Sequence, residues 1–357
     1  MPQRSSKKPP ARLVDIAKAA GVSRVTVGQV LNRSGGASVR VGESTRQRVL
    51  EIARTMNYRP NRVAQQLRGV RSHMLGVILD TINIPVMYAR LAHLEREATL
   101  RGYRLTIGQV HHDPAGIADY LDDFEGRGIE GVMFLFDLMK GYTEELKPVF
   151  EGRHNILFHS RPVDEESSCV RVDTSDAIRQ CVGHLVDTGR KRIGVALWNL
   201  ADQLMLRRRE GYEAELNDRG MPVDPNLIWS AESPSEAPSE ESINAAIDAL
   251  VVDQQADAII ASNDYWAVRL IQQLKRRGLR VPEDVAVIGY DNLDIATVIE
   301  PSLTTVDQQH EAYAKAAVNL LIRLIERDDT LPTNERNVVI KPKLIVREST
   351  ATPAQGE

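Results

Sequence analysis

From Met74 onward, short apolar runs alternate with amphipathic segments of helical spacing. The apolar runs predict buried strands, and strands that alternate with helices in this way form parallel, doubly wound α/β sheets. Ligands of such sheets bind beyond the carboxyl ends of the strands. Strands are predicted over 75–80, 104–110, 129–136, 154–160, 192–198, 227–230, 256–262 and 284–291, and helices over 86–101, 114–127, 175–188, 206–219, 240–252, 265–277 and 311–327.

The first 59 residues predict an all-α head instead. The apolar spacing predicts a helix over 12–20, which Gly21 ends, and Ser23 is well placed to cap a second helix. A third helix is predicted from Ser44, as its N-cap, to near Asn57. Two short helices joined by a glycine turn and supported by a third form a helix-turn-helix, whose second helix enters the DNA major groove.

The charge of the chain is distributed unevenly. Residues 1–71 hold 15 lysines and arginines but only three acids, a net charge of +12, whereas the rest carries −16 of the overall −4. A basic head on an acidic body is expected when one end of a protein meets a polyanion such as DNA.

The outward face of the second predicted helix carries side chains suited to base edges. Arg24 can donate to guanine, Gln29 can bond adenine, and Val25 can touch a thymine methyl group. The alternative is a three-helix module with a merely solvated face, and the strongly basic head makes that alternative less favourable.

The runs LVDIAKAAGVSRVTVGQVLN and STRQRVLEIARTMNYRPNRVAQQL resemble the DNA-binding region of the lac repressor family. The resemblance implies that Arg24, Val25 and Gln29 read operator bases. It also implies phosphate or helix-edge contacts, made by Ser23, Thr26 and Asn32. Gly28 departs from the family, which usually has serine there. A glycine inside a helix costs ~1 kcal/mol relative to alanine, and it either weakens this helix or lets the backbone approach DNA closely.

The segment PNRVAQQLRG (60–69) would be a helix of barely two turns, which is too short to be stable alone in water. In the family it matches a hinge helix that orders when two copies meet at the centre of an operator. The residue matching Leu67 inserts into the minor groove, as apolar wedges do; the alternative is an ordinary linker residue packed on the core. The hinge positions expected to contact DNA are Asn61, Arg62, Ala64 and Leu67.

The remainder of the chain resembles the two-lobed, periplasmic-binding-protein-like core of the same family. The resemblance rests on HLVDTGRKRIGVA, RRREGY, ASND and VIGYDNLDIATVIEPSLTTV, and it implies three crossings between lobes, near 161, 301 and 335. The predicted organisation is a disordered basic tail (1–10), the helix-turn-helix domain (11–59), a hinge and linker (60–71), a first lobe (72–160 with 301–334), a second lobe (161–300 with 335–348) and a tail (349–357).

The resemblance also implies an effector site between the lobes. Arg208 matches an arginine that bonds sugar hydroxyls or a carboxylate, and Asn263 and Asp291 match residues of the second lobe that close on the ligand. Alternatively, Arg208 belongs to a solvated basic run and Asp291 caps the next helix. The first lobe would add polar residues at strand ends, and an aromatic ring would cover a sugar's apolar face; the alternative for either tryptophan, which its residue type favours, is packing in the core. These further candidates are Asp80, Thr81 and Asp137, and Trp198, Tyr265 and Trp266.

Other classes of protein are less consistent with the sequence. No phosphate-binding loop, nucleophile elbow or zinc-protease motif occurs, which disfavours an intracellular sugar enzyme. We predict neither a cofactor nor a metal site. The absence of a secretory leader or membrane span, and the two isolated cysteines (Cys169 and Cys181), indicate a cytoplasmic protein. Together with the basic head, this disfavours an exported sugar-binding protein.

The sequence thus predicts a ligand-responsive transcriptional regulator, most consistent with a repressor. Two copies would place their heads on a palindromic double-stranded operator, and a small-molecule effector would alter the operator affinity. A sugar is expected by analogy with the family, and a nucleobase or another small metabolite is the alternative. The C-terminal ATPAQGE has no apolar heptads, so we expect a homodimer rather than a tetramer joined by a coiled coil.

Overall fold

The computed structural model divides into two compact units, Met1–Ser72 and His73–Glu357. It describes residues 11–32, 41–59, 69–80, 85–111, 113, 115–136, 146, 148–153, 155–159, 167–200, 203–231, 238–326, 331–332 and 335–351.

The described residues of the N-terminal unit contain three helices: α1 (Leu13–Ala20), α2 (Arg24–Asn32) and α3 (Glu43–Thr55). Gly21 ends α1 with a φ of +64°, a left-handed conformation that glycine adopts without steric cost. The Ser23 hydroxyl accepts a hydrogen bond from the Thr26 amide at 3.0 Å, so the predicted cap of α2 is confirmed. The three helices share a small apolar core made of Ile16, Ala17, Ala20, Val27, Val30, Val49 and Ala53.

The predicted cap of the third helix was wrong. The helix begins at Glu43, one residue before Ser44, and Gly42 occupies the N-cap position without a side-chain hydrogen bond. The acidic Glu43 in the first turn still complements the helix dipole.

The first lobe of the larger unit is built on a six-stranded parallel sheet in the order β2–β1–β3–β4–β5–β11. The apolar strands β1 and β3 lie in its middle and are almost wholly buried. Its strands are β1 (Met74–Leu79), β2 (Arg104–Gln109), β3 (Gly131–Phe134), β4 (Ile156–His159), β5 (Ser168–Val172) and β11 (Asn337–Ile340). Its helices are α4 (Pro85–Leu100), α5 (Ala115–Gly126) and α11 (His310–Ile325), the last of which packs with α4 on one face of the sheet.

The second lobe repeats this architecture with the order β7–β6–β8–β9–β10–β12, in which only β12 runs antiparallel, beside β10. Its strands are β6 (Ile193–Leu197), β7 (Ile228–Ser230), β8 (Ala258–Ala261), β9 (Ala286–Tyr290), β10 (Thr304–Asp307) and β12 (Lys343–Ile345). Its helices are α6 (Thr174–Asp187), α7 (Gln203–Asp218), α8 (Glu240–Ile247, continued by a π-helical turn to Asp253), α9 (Asp264–Arg276) and α10 (Ile295–Val298). The predicted fold class is confirmed.

The chain crosses between the lobes later than predicted. Because β5 pairs with β4 in the first sheet, the first crossing follows Val172 rather than residue 161. Because β10 pairs with β9 in the second sheet, the next crossing follows Asp307 rather than residue 301. Since β11 lies beside β5, the third crossing falls between Ile340 and Lys343 rather than near 335. The sequence prediction overlooked β5, β10, β11 and β12.

Candidate functional site

A cleft with an empty volume of about 570 Å³, partly open to solvent, lies between the two lobes of the larger unit. Elements of both lobes reach it near the carboxyl ends of their strands, where doubly wound sheets bind ligands. The first lobe contributes Val86, Met87, Arg90, His159 and Val172. The first crossing, the second lobe and the segment after β10 contribute Thr174, Trp198, Leu204, Arg208, Ser262, Asn263, Tyr290, Asp291 and Gln308.

Arg208 is a built part of this cleft and not a solvated surface residue. Its side chain on α7 is only 3% exposed, and its guanidinium carbon lies 3.7 Å from the centre of the Tyr290 ring. One terminal nitrogen donates to the Ser262 carbonyl oxygen. Stacking and hydrogen bonding hold the planar guanidinium in one orientation, as a site for carboxylates or hydroxyls requires.

Asp291 follows β9 in a conformation unusual for a residue with a side chain. Its φ is +110°, and such strained backbone is concentrated at functional sites. Its carboxylate accepts a hydrogen bond from the Gln308 amide at 2.5 Å. Burial raises its pKa to about 6, opposed by the nearby Arg208 guanidinium. The alternative role as a helix cap is not seen, because α10 begins only at Ile295, after Asp294.

Asn263 has a structural role in addition to its place in the cleft. Its side-chain oxygen accepts a hydrogen bond from the Trp266 amide at 3.0 Å and so caps α9. Because the helix fixes the side chain, Asn263 is presented to the cleft in a constant position beside Ser262.

A chain of hydrogen bonds crosses the cleft from the first lobe to the second. Arg90, on α4, donates to Oε1 of Gln308 at 2.6 Å, and the amide nitrogen of Gln308 donates to Asp291. In the other direction Arg90 contacts Nε2 of His159 at 3.0 Å, and Nδ1 of His159 lies 2.9 Å from the Tyr313 hydroxyl. The chain therefore links the helix faces of the first lobe to the strand ends of the second.

These hydrogen bonds fix the protonation state of His159. Arginine can only donate, so Nε2 accepts and the proton of the neutral ring lies on Nδ1. Burial, and then the Arg90 charge, hold the pKa of His159 well below its ordinary value. Arg90 is 2% exposed, and its guanidinium lies 4.8 Å from the centre of the Tyr313 ring. His159 is thus a neutral support for the arginine rather than a second cation.

The structure brings Arg208, Asn263, Asp291 and Trp198 together, but not every residue predicted for the effector site. Tyr265 does not line the cleft; it is the second residue of α9, and 39% of it is exposed. Trp266, one position on, points into the core of the second lobe, with its ring 5.7 Å from that of Trp229. Asp80 is half-buried and is also absent from the described lining. Thr81 and Asp137 fall outside the described residues.

Sequence reasoning missed Arg90, His159 and Gln308. One signal was available for Arg90. The buried positions of α4 include Val86, Leu94 and Ala98, and helical spacing places residue 90 on the same apolar face. A charge on an otherwise apolar face requires a buried partner. That partner, Gln308, lies 218 residues away and could not be predicted from spacing.

The N-terminal unit presents the predicted reading face on α2. Arg24 is exposed and Val25 is 67% exposed, whereas Val27 and Val30 are buried in the core. Thr26 and Gln29 are half-buried, and Ser23 and Thr26 share a 2.9 Å hydroxyl contact. No atom of the described residues lies within 4 Å of the position that a Cβ would occupy on Gly28, so packing among these residues does not require glycine there. Asn32 is the last residue of α2; its side chain and the hinge positions Asn61, Arg62, Ala64 and Leu67 lie outside the described residues.

Both parts of the chain match known families. Residues 12–61 match the model of the bacterial regulatory proteins, lacI family, and residues 182–350 match that of a periplasmic binding protein-like domain. The chain belongs to the lacI family of bacterial regulatory proteins. Among the relatives of this lacI-family chain, the HTH-type transcriptional repressor PurR of Histophilus somni (strain 129Pt) is 27% identical over 344 residues, which span 96% of this chain and 99% of that protein.

Solved structures agree with this assignment. The lac repressor dimer bound to operator and the anti-inducer ONPF has a TM-score of 0.80 and 22% identity, over 96% of this chain and 99% of that one. The complex of the transcriptional regulator CelR with cellobiose has a TM-score of 0.67 and 26% identity, over 95% and 99% of the two chains. This lacI-family chain is therefore a DNA-binding transcriptional regulator with a ligand-binding core. None of its described helices combines the length and hydropathy needed to span a bilayer.

Proposed function

We propose that the protein is a homodimeric, cytoplasmic repressor whose operator affinity changes when a small polyhydroxylated effector binds between its lobes. One observation carries the proposal: a helix-turn-helix with an exposed reading face shares a chain with a cleft whose two sides are joined by hydrogen bonds. A ligand that replaces those bonds changes the relation of the lobes. Such a ligand shifts an equilibrium only by its differential affinity for the two arrangements.

The composition of the cleft supports a ligand with hydroxyl groups. The oxygens of Asp291 and the amide of Asn263 suit neighbouring hydroxyls, and the Trp198 ring can cover an apolar sugar face. The CelR relative is known in complex with cellobiose. We propose no catalytic step, since the PurR relatives are named as repressors; turnover of a sugar by the purified protein would contradict this.

On the DNA side, we propose that Arg24, Val25 and Gln29 read bases, with phosphate contacts from Ser23, Thr26 and Asn32. The hinge positions Asn61, Arg62, Ala64 and Leu67 are proposed to contact the centre of the operator. Exposure of Arg24 and Val25 on the first turn of α2 supports the base-reading assignment, because the N-terminal residues of a recognition helix usually reach base edges.

Selection of randomised duplex DNA on the full-length protein tests the function. We expect a palindrome of two half-sites. For the selected duplex, Arg24→Ala lowers affinity by ~1–3 kcal/mol, because a bidentate arginine–guanine pair discriminates by that amount. The variant also loses its preference at one position of each half-site, as a repeated selection would reveal.

Arg54→Ala is the matched control, since Arg54 is an exposed arginine on α3, away from the reading face. It removes the same charge and is expected to weaken all duplexes alike without altering the selected sequence. An unchanged preference in Arg24→Ala, or enrichment of no sequence by the wild-type protein, would contradict the proposal.

A further inference from the structure

The described lining of the cleft is unbalanced in charge. It contains two guanidinium groups, those of Arg90 and Arg208, and one carboxylate, that of Asp291. His159 adds no charge, because burial and then the neighbouring Arg90 guanidinium hold it in its neutral form. With Asp291 ionised above its pKa of about 6, the lining retains a net positive charge at neutral pH.

Both guanidinium groups are removed from water. Arg90 is 2% and Arg208 3% exposed, so each has lost most of the hydration that favours a charge. A buried charge of this kind is costly unless a counter-charge lies close to it. Asp291 is the one carboxylate of the described lining, and its pKa responds to both arginines. The described lining therefore offers only one carboxylate as a counter-charge for two guanidinium groups.

Hydrogen-bond donors of the two arginines also indicate an anionic ligand. The Nε–H group of Arg90 and that of Arg208 are buried, and neither has a hydrogen-bond partner in the described structure. Buried donors without a partner are rare in native proteins, and an absent ligand or ion is one of the recognised reasons. Two such donors occur here on the two cations that line one cleft.

We propose that the effector carries an anionic group, a carboxylate or a phosphate ester, and that Arg90 and Arg208 bind it. The inference rests on the proposed function and narrows its ligand class from polyhydroxylated compounds to sugar acids or sugar phosphates. Guanidinium groups match the planar fork of a carboxylate and the oxygens of a phosphate. Asp291 and Asn263 then remain available for hydroxyl groups, and Trp198 for an apolar face.

Arg90 determines the specificity of this cleft as well as linking its lobes. It joins the first lobe to Gln308 and, through Gln308, to Asp291. An anionic group that engages Arg90 competes with Gln308 for its donors. Binding of the anion is thereby coupled to the contact that spans the lobes, which a neutral ligand held by the second lobe alone would leave intact.

Calorimetry and thermal unfolding of the full-length protein test the proposal with four probes at matched ionic strength: glucose, gluconate, glucose 6-phosphate and inorganic phosphate. We expect at least one anionic probe to raise the melting temperature above a sodium chloride control and to bind at least tenfold more tightly than glucose. Gluconate and glucose 6-phosphate distinguish a carboxylate from a phosphate ester as the preferred group.

Variants distinguish binding in the cleft from the general stabilisation that salts such as phosphate produce because they are excluded from the protein surface. Arg90→Met and Arg208→Met are expected to reduce the preference for the anionic probes over glucose at least tenfold. Arg96→Met removes an exposed arginine from the same helix and should retain the wild-type preference. Arg90→Lys, which keeps the charge, gives an intermediate preference and covers the case in which the methionine variant does not fold.

Three results would overturn the proposal. Glucose binds as tightly as gluconate and glucose 6-phosphate; no anionic probe stabilises the wild-type protein beyond the chloride control; or the anionic probes stabilise both methionine variants as much as they stabilise the wild-type protein. Duplex selection on the same preparations keeps the two proposals separate. Specific DNA binding without an anion preference refutes the ligand class alone, whereas failure to select any duplex refutes the proposed function.

Discussion

Replacing Gly211 with alanine lowers the free energy of unfolding of the larger unit by ~2–3 kcal/mol, near the upper end for an overpacked core. A Cβ at this position would lie 2.4 Å from the Ser175 carbonyl oxygen and 3.0 Å from its Cα. Both are backbone atoms of α6, so no side-chain rotation can relieve the clash. α7 would have to move away from α6, and Arg208, one turn earlier on α7, would move with it.

Urea unfolding followed by tryptophan fluorescence measures the loss, since all three tryptophans lie in the second lobe: Trp198, Trp229 and Trp266. Gly183→Ala, in the facing helix α6, is the matched control. A Cβ there would meet the ends of two flexible side chains, Arg219 at 2.9 Å and Glu215 at 3.4 Å, and no backbone atom of the described residues. We expect the control to lose much less stability. Equal losses in the two variants would show that close backbone approach is not the cause.

Replacing Asp264 with asparagine removes most of the decrease in stability that the wild-type protein shows between pH 6.5 and 8. Asp264 is fully buried; it accepts hydrogen bonds from the Thr305 hydroxyl at 2.5 Å and the Leu293 amide at 2.7 Å. Burial, and then the negative charge of Asp291, raise its pKa from 3.8 to about 8. An asparagine can accept from Leu293 and donate to Thr305, so the variant retains both contacts.

The direction in which stability changes with pH follows from proton binding to Asp264. Between pH 3.8 and about 8 the folded protein retains a proton on Asp264 that the unfolded chain has released. The stability that this group confers is complete below pH 3.8 and is lost as the pH rises to about 8, where the loss ends. From pH 6.5 to 8 the expected loss is roughly 1–2 kcal/mol, at 1.36 kcal/mol per pKa unit.

Other buried titratable groups change the stability of the fold mainly at lower pH. Asp291, with a pKa of about 6, adds a loss of the same sign only up to that pH. His310, whose pKa burial lowers to about 3, contributes stability that is lost as the pH falls below 6.5. The difference in stability between the wild-type protein and Asp264→Asn, measured by urea unfolding at three pH values between 6.5 and 8, therefore isolates Asp264, because His159, His184 and His310 contribute equally to both proteins. Asp253→Asn, at an exposed aspartate, should retain the wild-type slope; the same slope in Asp264→Asn would refute the assignment.

Continuous apolar runs identified most of the strands that the sequence predicted. Strands β1, β6 and β9 are buried over nearly their whole length, so their sequences carry the signal of a two-faced parallel sheet. Strand β5 contains Ser168 and Arg171, and β11 alternates between exposed and half-buried residues at an edge. Strands β5 and β11 are only five and four residues long, too short for a periodic pattern to be recognised, and for this reason the crossings between lobes were placed too early.

The cleft was predictable where a strand end supplied the residue. Asn263 lies two residues after β8, and Asp291 directly follows β9. Arg208 was identified from the resemblance of RRREGY to the family. The other half of the chain of hydrogen bonds depends on tertiary structure. Arg90 meets His159 only after the first lobe has folded, and it meets Gln308 only where the chain passes from β10 of the second lobe back to the first. No local pattern specifies that meeting.

Coupling between the cleft and DNA is the central claim, and the operator affinity of the full-length protein tests it most directly. The dissociation constant of the selected duplex should be measured with and without a saturating concentration of the probe that most stabilises the core. We predict a change of roughly 5- to 150-fold, with an equal change in probe affinity when the duplex is bound, because coupling is reciprocal. An operator affinity that stays constant while the cleft is saturated would contradict the account.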